Sequence, residues 1–400
     1  MAARKMGAML SALVCATGLG MWLQTAVVDI TPPELLPLGG FTARKGKIAD
    51  PGGQPLYARA LVLGDWTLVA VDMLTVPEAF YKAVEKRTGA KNLWIVATHT
   101  HCAPDSQMLN PKMTFAIPGI TGYSPRWFNW YVDHVASAVE MARGSQKVEV
   151  SKLTLVRTRV KLNHGRRPDA KADETAWLLA ADGKPVLASY AAHATFHDEN
   201  WNKTDGDWPG LLATKTGAVV VPGAIGDVAP EATGTGPVEK CSDFVEKFRL
   251  AVAKGRVMGV WNADRVFDAE QVSVPLGAPV PHPTFAKTYG VPDSFAQVLV
   301  TGFAQQSCYV QTVHFGKFLM VGIPGEPSAD LGRKIQAEAR RAGFPHCLVV
   351  SHVDGWIGYI LEPQDYDRGG YEATLSFNGR DTADRILKAA SKILGPKPQR

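Results

Sequence analysis

The chain has 400 residues, 46% of them hydrophobic and 20% charged, with a formal net charge of +5. These are values of a folded globular chain rather than a disordered one, and lysine and arginine are scattered rather than gathered into a basic stripe, which sets nucleic acid aside as a partner. No apolar run beyond the N terminus has transmembrane length, and the five cysteines, far apart and without a CxxC pair, argue against a zinc ribbon or a dense disulfide framework.

Residues 1–20 carry Arg4 and Lys5, then an apolar segment from Met6, then small residues, the layout of a secretory signal. They predict an exported protein, periplasmic or secreted, without a membrane span in the mature chain. The alternative is translation from Met21 and a cytoplasmic protein. Strands are predicted at 24–31, 56–63 and 66–72, then an amphipathic helix at 77–88 and a strand at 92–98. A helix at 123–142, a long alternating strand at 147–162 and a hairpin around Ala181-Asp182-Gly183 follow. The apolar run 218–221 leads into Gly223-Ala224-Ile225-Gly226-Asp227 and a helix from about 241 to 254. The stretch 272–289, rich in Pro and Gly, reads as a surface loop or edge. A strand at 311–322, a helix at 328–342, a strand at 347–352 and a helix at 381–394 close the chain. With no internal repeat and no linker, the expectation is one α/β domain over 21–400, with mixed, largely antiparallel sheets flanked by helices.

Three places carry residues suited to chemistry. The apolar run Leu93-Trp94-Ile95-Val96-Ala97 ends in Thr98-His99-Thr100-His101. In extended backbone, side chains two residues apart share a side, so both histidines can face one pocket, as a metal ligand and its neighbour or as two surface groups at a strand end. His193 again ends an apolar strand, while His197 reads as a polar residue of the following loop. Glu326, in Pro324-Gly325-Glu326-Pro327, stands where a strand breaks into a helix; it can cap that helix or offer a hard oxygen to a metal. Two histidines and a carboxylate are a known set for hydrolytic zinc.

In order along the chain, Val28-Asp29-Ile30-Thr31-Pro32-Pro33, Thr98-His99-Thr100-His101 with Pro104, Ala192-His193-Ala194-Thr195, Asp205-Gly206-Asp207-Trp208-Pro209-Gly210, Gly223-Ala224-Ile225-Gly226-Asp227 with Pro230, Pro324-Gly325-Glu326, and Gly358-Tyr359-Ile360 with Tyr366 and Gly370-Tyr371-Glu372 resemble the neutral (alkaline, non-lysosomal) ceramidase family in its bacterial short form. The resemblance implies zinc (Zn2+) held by His99, His193, Glu326 and Tyr359. It also implies His101 and Tyr371 lining the site, with Arg166 as the arginine on the substrate side. Tyr359 and Tyr371 stand twelve residues apart, as the family's two site tyrosines do. Three departures matter: Ala229 replaces the family's serine in Gly226-Asp227-Val228-Ala229-Pro230, which excludes a serine-acyl route; Cys102 replaces a small polar residue; and the family's C-terminal immunoglobulin-like domain is not expected.

The function expected is zinc-dependent hydrolysis of an amide in an N-acyl substrate, a small molecule or a ceramide-like lipid, by activated water. His101, Tyr371 and Arg166 would stabilise the oxyanion, His101 would also hand a proton to the leaving amine, and Asp207 and Asp227 would brace the site or form turns. An esterase or lactonase on the same site, a cysteine hydrolase using Cys102 with His101 and Asp105, and a non-catalytic lipid- or glycan-binding domain are the rival readings.

Overall fold

The structure is a computed structural model that describes residues 21–262 and 267–395, so the signal-like segment 1–20 lies outside it. Three sheets are built to one plan. In each, three antiparallel strands lead into a crossover helix, which returns the chain as a fourth strand parallel to the third, and a second helix then packs beside the first. The first unit comprises strands Met21–Asp29, Tyr57–Leu63 and Trp66–Val71, helix Glu78–Thr88, strand Leu93–Ala97 and helix Pro125–Gly144. The second comprises Lys152–Arg159, Thr175–Ala181 and Lys184–Tyr190, helix Asp207–Thr216, strand Val219–Pro222 and helix Pro237–Ala253. The third comprises Phe267–Pro275, Ser307–Phe315 and Phe318–Gly322, helix Ala329–Arg341, strand His346–Val350 and helix Thr382–Leu394. The expected mixed α/β architecture is present, and so is a structural repeat that the sequence does not display.

Two-residue periodicity explains the packing. Leu61, Leu63, Trp66, Leu68, Trp94 and Val96 point to a core shared by all three sheets, where Trp177, Leu187, Phe315, Phe318 and Leu348 meet them. The alternate residues Ala58, Val62, Val69, Val71 and Ile95 face Phe80, Val84, Trp127 and Val135 of the two covering helices. Both faces are therefore buried, which is why Trp66–Val71 and Leu93–Ala97 read as unbroken apolar runs. The hairpins joining the second and third strands turn on Gly64 (φ 60°), Asp182-Gly183 (46° and 81°) and Gly316 (59°). Positive φ lets a two-residue turn match the strand twist.

Several boundaries differ from expectation. The run 147–162 breaks at Ser151, so that Val148–Val150 joins the first sheet and Lys152–Arg159 the second. The predicted strand 311–322 is a hairpin, because Gly316 turns the chain back. Residues 267–275 form an edge strand, and Phe285–Tyr289 and Asp293–Phe303 are helices, hidden from sequence analysis by the surrounding Pro and Gly. Among the described residues no helix is long and apolar enough to cross a membrane. The plan has one consequence for function: the C-terminal ends of the paired parallel strands of all three units meet at one place.

Candidate metal centre

His99 and His101 follow the strand end Ala97, yet not in extended conformation. His99 has φ 64°, so alternation along a strand is not what brings the two rings together. The left-handed turn at His99 does it, leaving the two Nε2 atoms 3.4 Å apart. Thr100 forms a parallel bridge with Ala194, which brings His193 of the second unit alongside, its ring 4.9 Å from that of His99. In the third unit a two-residue parallel ladder pairs Glu326 with Tyr359. The four residues expected to hold a metal are thus brought together from three units, and all are buried.

The hydrogen bonds fix which atoms are free. His99 Nδ1 lies 2.8 Å from the Leu74 carbonyl and His193 Nδ1 lies 2.9 Å from the Val228 carbonyl, so each Nδ1 donates and each Nε2 carries a lone pair. Those lone pairs face the Glu326 carboxylate, at 3.6 Å from His99 and 3.2 Å from His193, while the Tyr359 hydroxyl is 3.5 Å from His193 Nε2. Acceptor faces acceptor, an arrangement that a cation between them satisfies. Ligands of one tetrahedral ion at zinc bond lengths sit about 3.4 Å apart, and these three separations match that spacing.

Electrostatics favours the same state. Burial pushes His193 down to about 4 and lowers His99, although Glu326 works against it, so both imidazoles are neutral near pH 7. Burial also opposes the charge of Glu326, but the neighbouring imidazoles of His99, His193 and His352 outweigh it and hold the carboxyl well below its ordinary value. Trp356 Nε1 donates to the other carboxylate oxygen at 2.9 Å.

The remaining expected residues surround this cluster. His101 is lowered well below its usual value by burial and then by His99 and His193. Its Nδ1 has no partner and packs on Gly40, where a Cβ would stand 2.3 Å away, so that position admits only glycine. Arg166 donates to the Gly226 carbonyl at 2.6 Å, pairs with Glu372 at 3.3 Å and reaches the Tyr359 hydroxyl at 3.5 Å. Tyr371 stands half exposed with its ring edge-on to Tyr359, 5.9 Å between centroids. Although much of the residue is exposed, the phenol group itself is enclosed, and this, followed by Glu326, pushes its pKa up and keeps it protonated. His99, His101, Glu326, Tyr359 and Tyr371 line a cleft of about 680 Å³ together with Thr42, Lys45, Thr75, Asp105 and Gln107, and much of its remaining wall is apolar: Ile117, Ile120, Phe285, Val291, Phe295, Leu299, Phe303 and Phe377.

Other candidates lie elsewhere. The Cys102 thiol points to Arg44, 3.7 Å away, and burial raises its pKa; Asp105 is engaged with Gln107 and Thr121. Neither approaches His101 as a cysteine hydrolase would need. His197 is not an ordinary loop residue but is buried against Asp207, Nδ1 to carboxylate 3.0 Å. The imidazoles of His99 and His193 donate to backbone carbonyls and not to Asp207 or Asp227; Asp227 instead accepts from Ala329 N at 2.8 Å, capping a helix. Sequence analysis missed Trp356 and His352. A signal for the latter existed, since His352 follows an apolar strand end by two residues just as His99 does.

No known family's sequence profile matches the chain. Over 94 residues it is 32% identical to the neutral ceramidase of Mycobacterium tuberculosis, a stretch covering 23% of this chain and 15% of that protein. The crystal structure of neutral ceramidase from Pseudomonas aeruginosa superposes with a TM-score of 0.74 over 94% of this chain and 74% of that one, at 18% identity. The chain has the neutral ceramidase fold. A ceramidase solved as a complex with C2 gives a TM-score of 0.77 over 94% of this chain and 75% of that one, at 15% identity. The resemblance first carried by short motifs thus extends to the fold of about three quarters of those ceramidase chains.

Proposed function

We propose that the chain is a zinc-dependent hydrolase that cleaves the amide bond of an N-acyl substrate, a ceramide-like lipid among the candidates, within one catalytic domain. The observation that carries this reading is the set of neutral imidazole lone pairs facing an ionised carboxylate in a largely apolar cleft. His99, His193, Glu326 and Tyr359 would hold the ion. When bound, it would supply Lewis acidity to the scissile carbonyl and lower the pKa of water toward 7.

The protein's own groups then have distinct tasks. The apolar walls exclude water and align an acyl chain so that its carbonyl reaches the cluster. Arg166, anchored by Gly226 and Glu372, keeps a positive charge beside the Tyr359 oxygen, since Tyr359 and Glu372 outweigh the effect of its burial. Tyr371, protonated and on the rim, can donate to the oxygen that gains charge in the transition state. His101 lines the cleft as a neutral base. Because its surroundings disfavour the imidazolium, a proton taken from the attacking water passes readily to the leaving nitrogen. Ala229 offers no nucleophile, in keeping with attack by water.

The test is elemental mass spectrometry combined with turnover of N-acyl amides. Wild type is expected to carry about one zinc per chain, lost in His99→Ala, whereas His101→Gln keeps the metal and loses on the order of 10²-fold or more in kcat. Wild type without zinc under metal-replete conditions would sink the reading, and unchanged turnover in His101→Gln would remove the proton-transfer role.

A further inference from the structure

One more imidazole, that of His352, adjoins the cluster. His352 has no exposed surface, and neither of its ring nitrogens has a hydrogen-bond partner. It does not line the cleft. Its ring stacks on His99, with centroids 4.2 Å apart and 21° between planes, and ligand atoms of His99, Glu326 and His352 all lie within 4.8 Å of one another. A buried polar group without a partner is costly, and in a ring with two such atoms the cost is doubled unless something binds there.

The repeat explains why the ring is there. In the first unit Ala97 is the register partner of Val71, and in the third Val350 is the partner of Gly322. His99 and His352 each stand two residues beyond these positions, both left-handed, at φ 64° and 58°. The second unit has Ala224 at the corresponding place, two residues beyond Pro222, the partner of Tyr190. The same turn at the same strand end therefore aims two histidines at one point from different units.

We propose that His352 is a further protein ligand of the ion, approaching from the buried side opposite the cleft. The proposal rests on the metal-dependent reading above. Two nearly parallel rings cannot both direct a lone pair at one point, so one must turn about its Cβ–Cγ bond. His99 is pinned by Leu74, whereas nothing hydrogen-bonds His352, and His352 is the ring that turns. The bound site then has five protein donors and a coordination number above four, which distinguishes it from a four-coordinate hydrolytic zinc site.

The experiment is titration of the chelator-stripped, full-length protein with Co2+, read by visible absorption, for wild type, His352→Leu and His99→Ala. Wild type is expected to bind one equivalent with the weak bands of a five- or six-coordinate ion. His352→Leu should bind at least tenfold more weakly and show the stronger bands of a four-coordinate ion, while its metal-free form melts no lower than wild type because two orphaned nitrogens are gone. Equal affinity and an unchanged spectrum in His352→Leu overturn the proposal and leave the metal reading standing. Failure of wild type itself to bind Co2+ or Zn2+ overturns both. If the leucine variant does not fold, His352→Asn carries the same expectations for affinity and spectrum.

Discussion

The cleft makes a quantitative statement about acyl-chain length. Transfer of one methylene from water to an apolar wall is worth about 0.8 kcal/mol, roughly a factor of 4 in binding. Extending an N-acyl substrate from two to eight carbons adds six methylenes, an upper limit of about 5 kcal/mol, or on the order of 10³-fold in kcat/KM. A cleft of about 680 Å³ has room for that chain, but it is partly open to solvent, so about 10²-fold is the expected gain. Because the chain is held alike in ground and transition states, the gain should appear in KM rather than kcat. Ile120, half-buried in the wall, is the place to obstruct it. In Ile120→Trp the two-carbon substrate should turn over within about threefold of wild type, while the advantage of eight carbons falls at least tenfold. A wild-type profile flat in chain length, or one that the tryptophan leaves unchanged, would refute the assignment of this cleft to the acyl chain.

Three further outcomes follow from individual contacts. Cys102→Ala should retain turnover within about twofold, and Cys102 should resist iodoacetamide at neutral pH, since burial raises the thiol's pKa; lost turnover would restore the cysteine mechanism. Trp356→Phe leaves one oxygen of Glu326 without its donor, a loss of about 1–3 kcal/mol, and should weaken metal binding about tenfold in competition with a chelator; equal affinity would deny the tryptophan a part in orienting the carboxylate. Burial opposes protonation of His197, but its bond to Asp207 and the charges of Asp207 and Asp205 outweigh this and raise its pKa. The contribution is therefore fully present below the unfolded value of about 6.5 and is lost as pH rises through the folded value. His197→Gln should lower the urea midpoint more at pH 6 than at pH 9, and equal losses at both would show that His197 is not protonated there.

The sequence by itself determined strands such as Leu93–Ala97 and Lys184–Tyr190, because their central residues are buried on both faces and so contain little that is polar. It also marked His99, His193 and Glu326, since a polar residue directly after such a run stands where the sheet ends and a site begins. Only the tertiary structure decided the rest. Glu326 meets Tyr359 through a ladder of two residues, too short to leave a periodic signal, and the threefold repeat survives in hydrogen-bond register without similarity in sequence. Helix Asp293–Phe303, apolar enough to wall the cleft, is set off by the Pro and Gly that precede it. His352 looked like the polar end of a strand. It becomes a candidate ligand only when the third unit is laid beside the first, because where a buried side chain points depends on the backbone turn beneath it and on what packs around it, and neither is local in sequence.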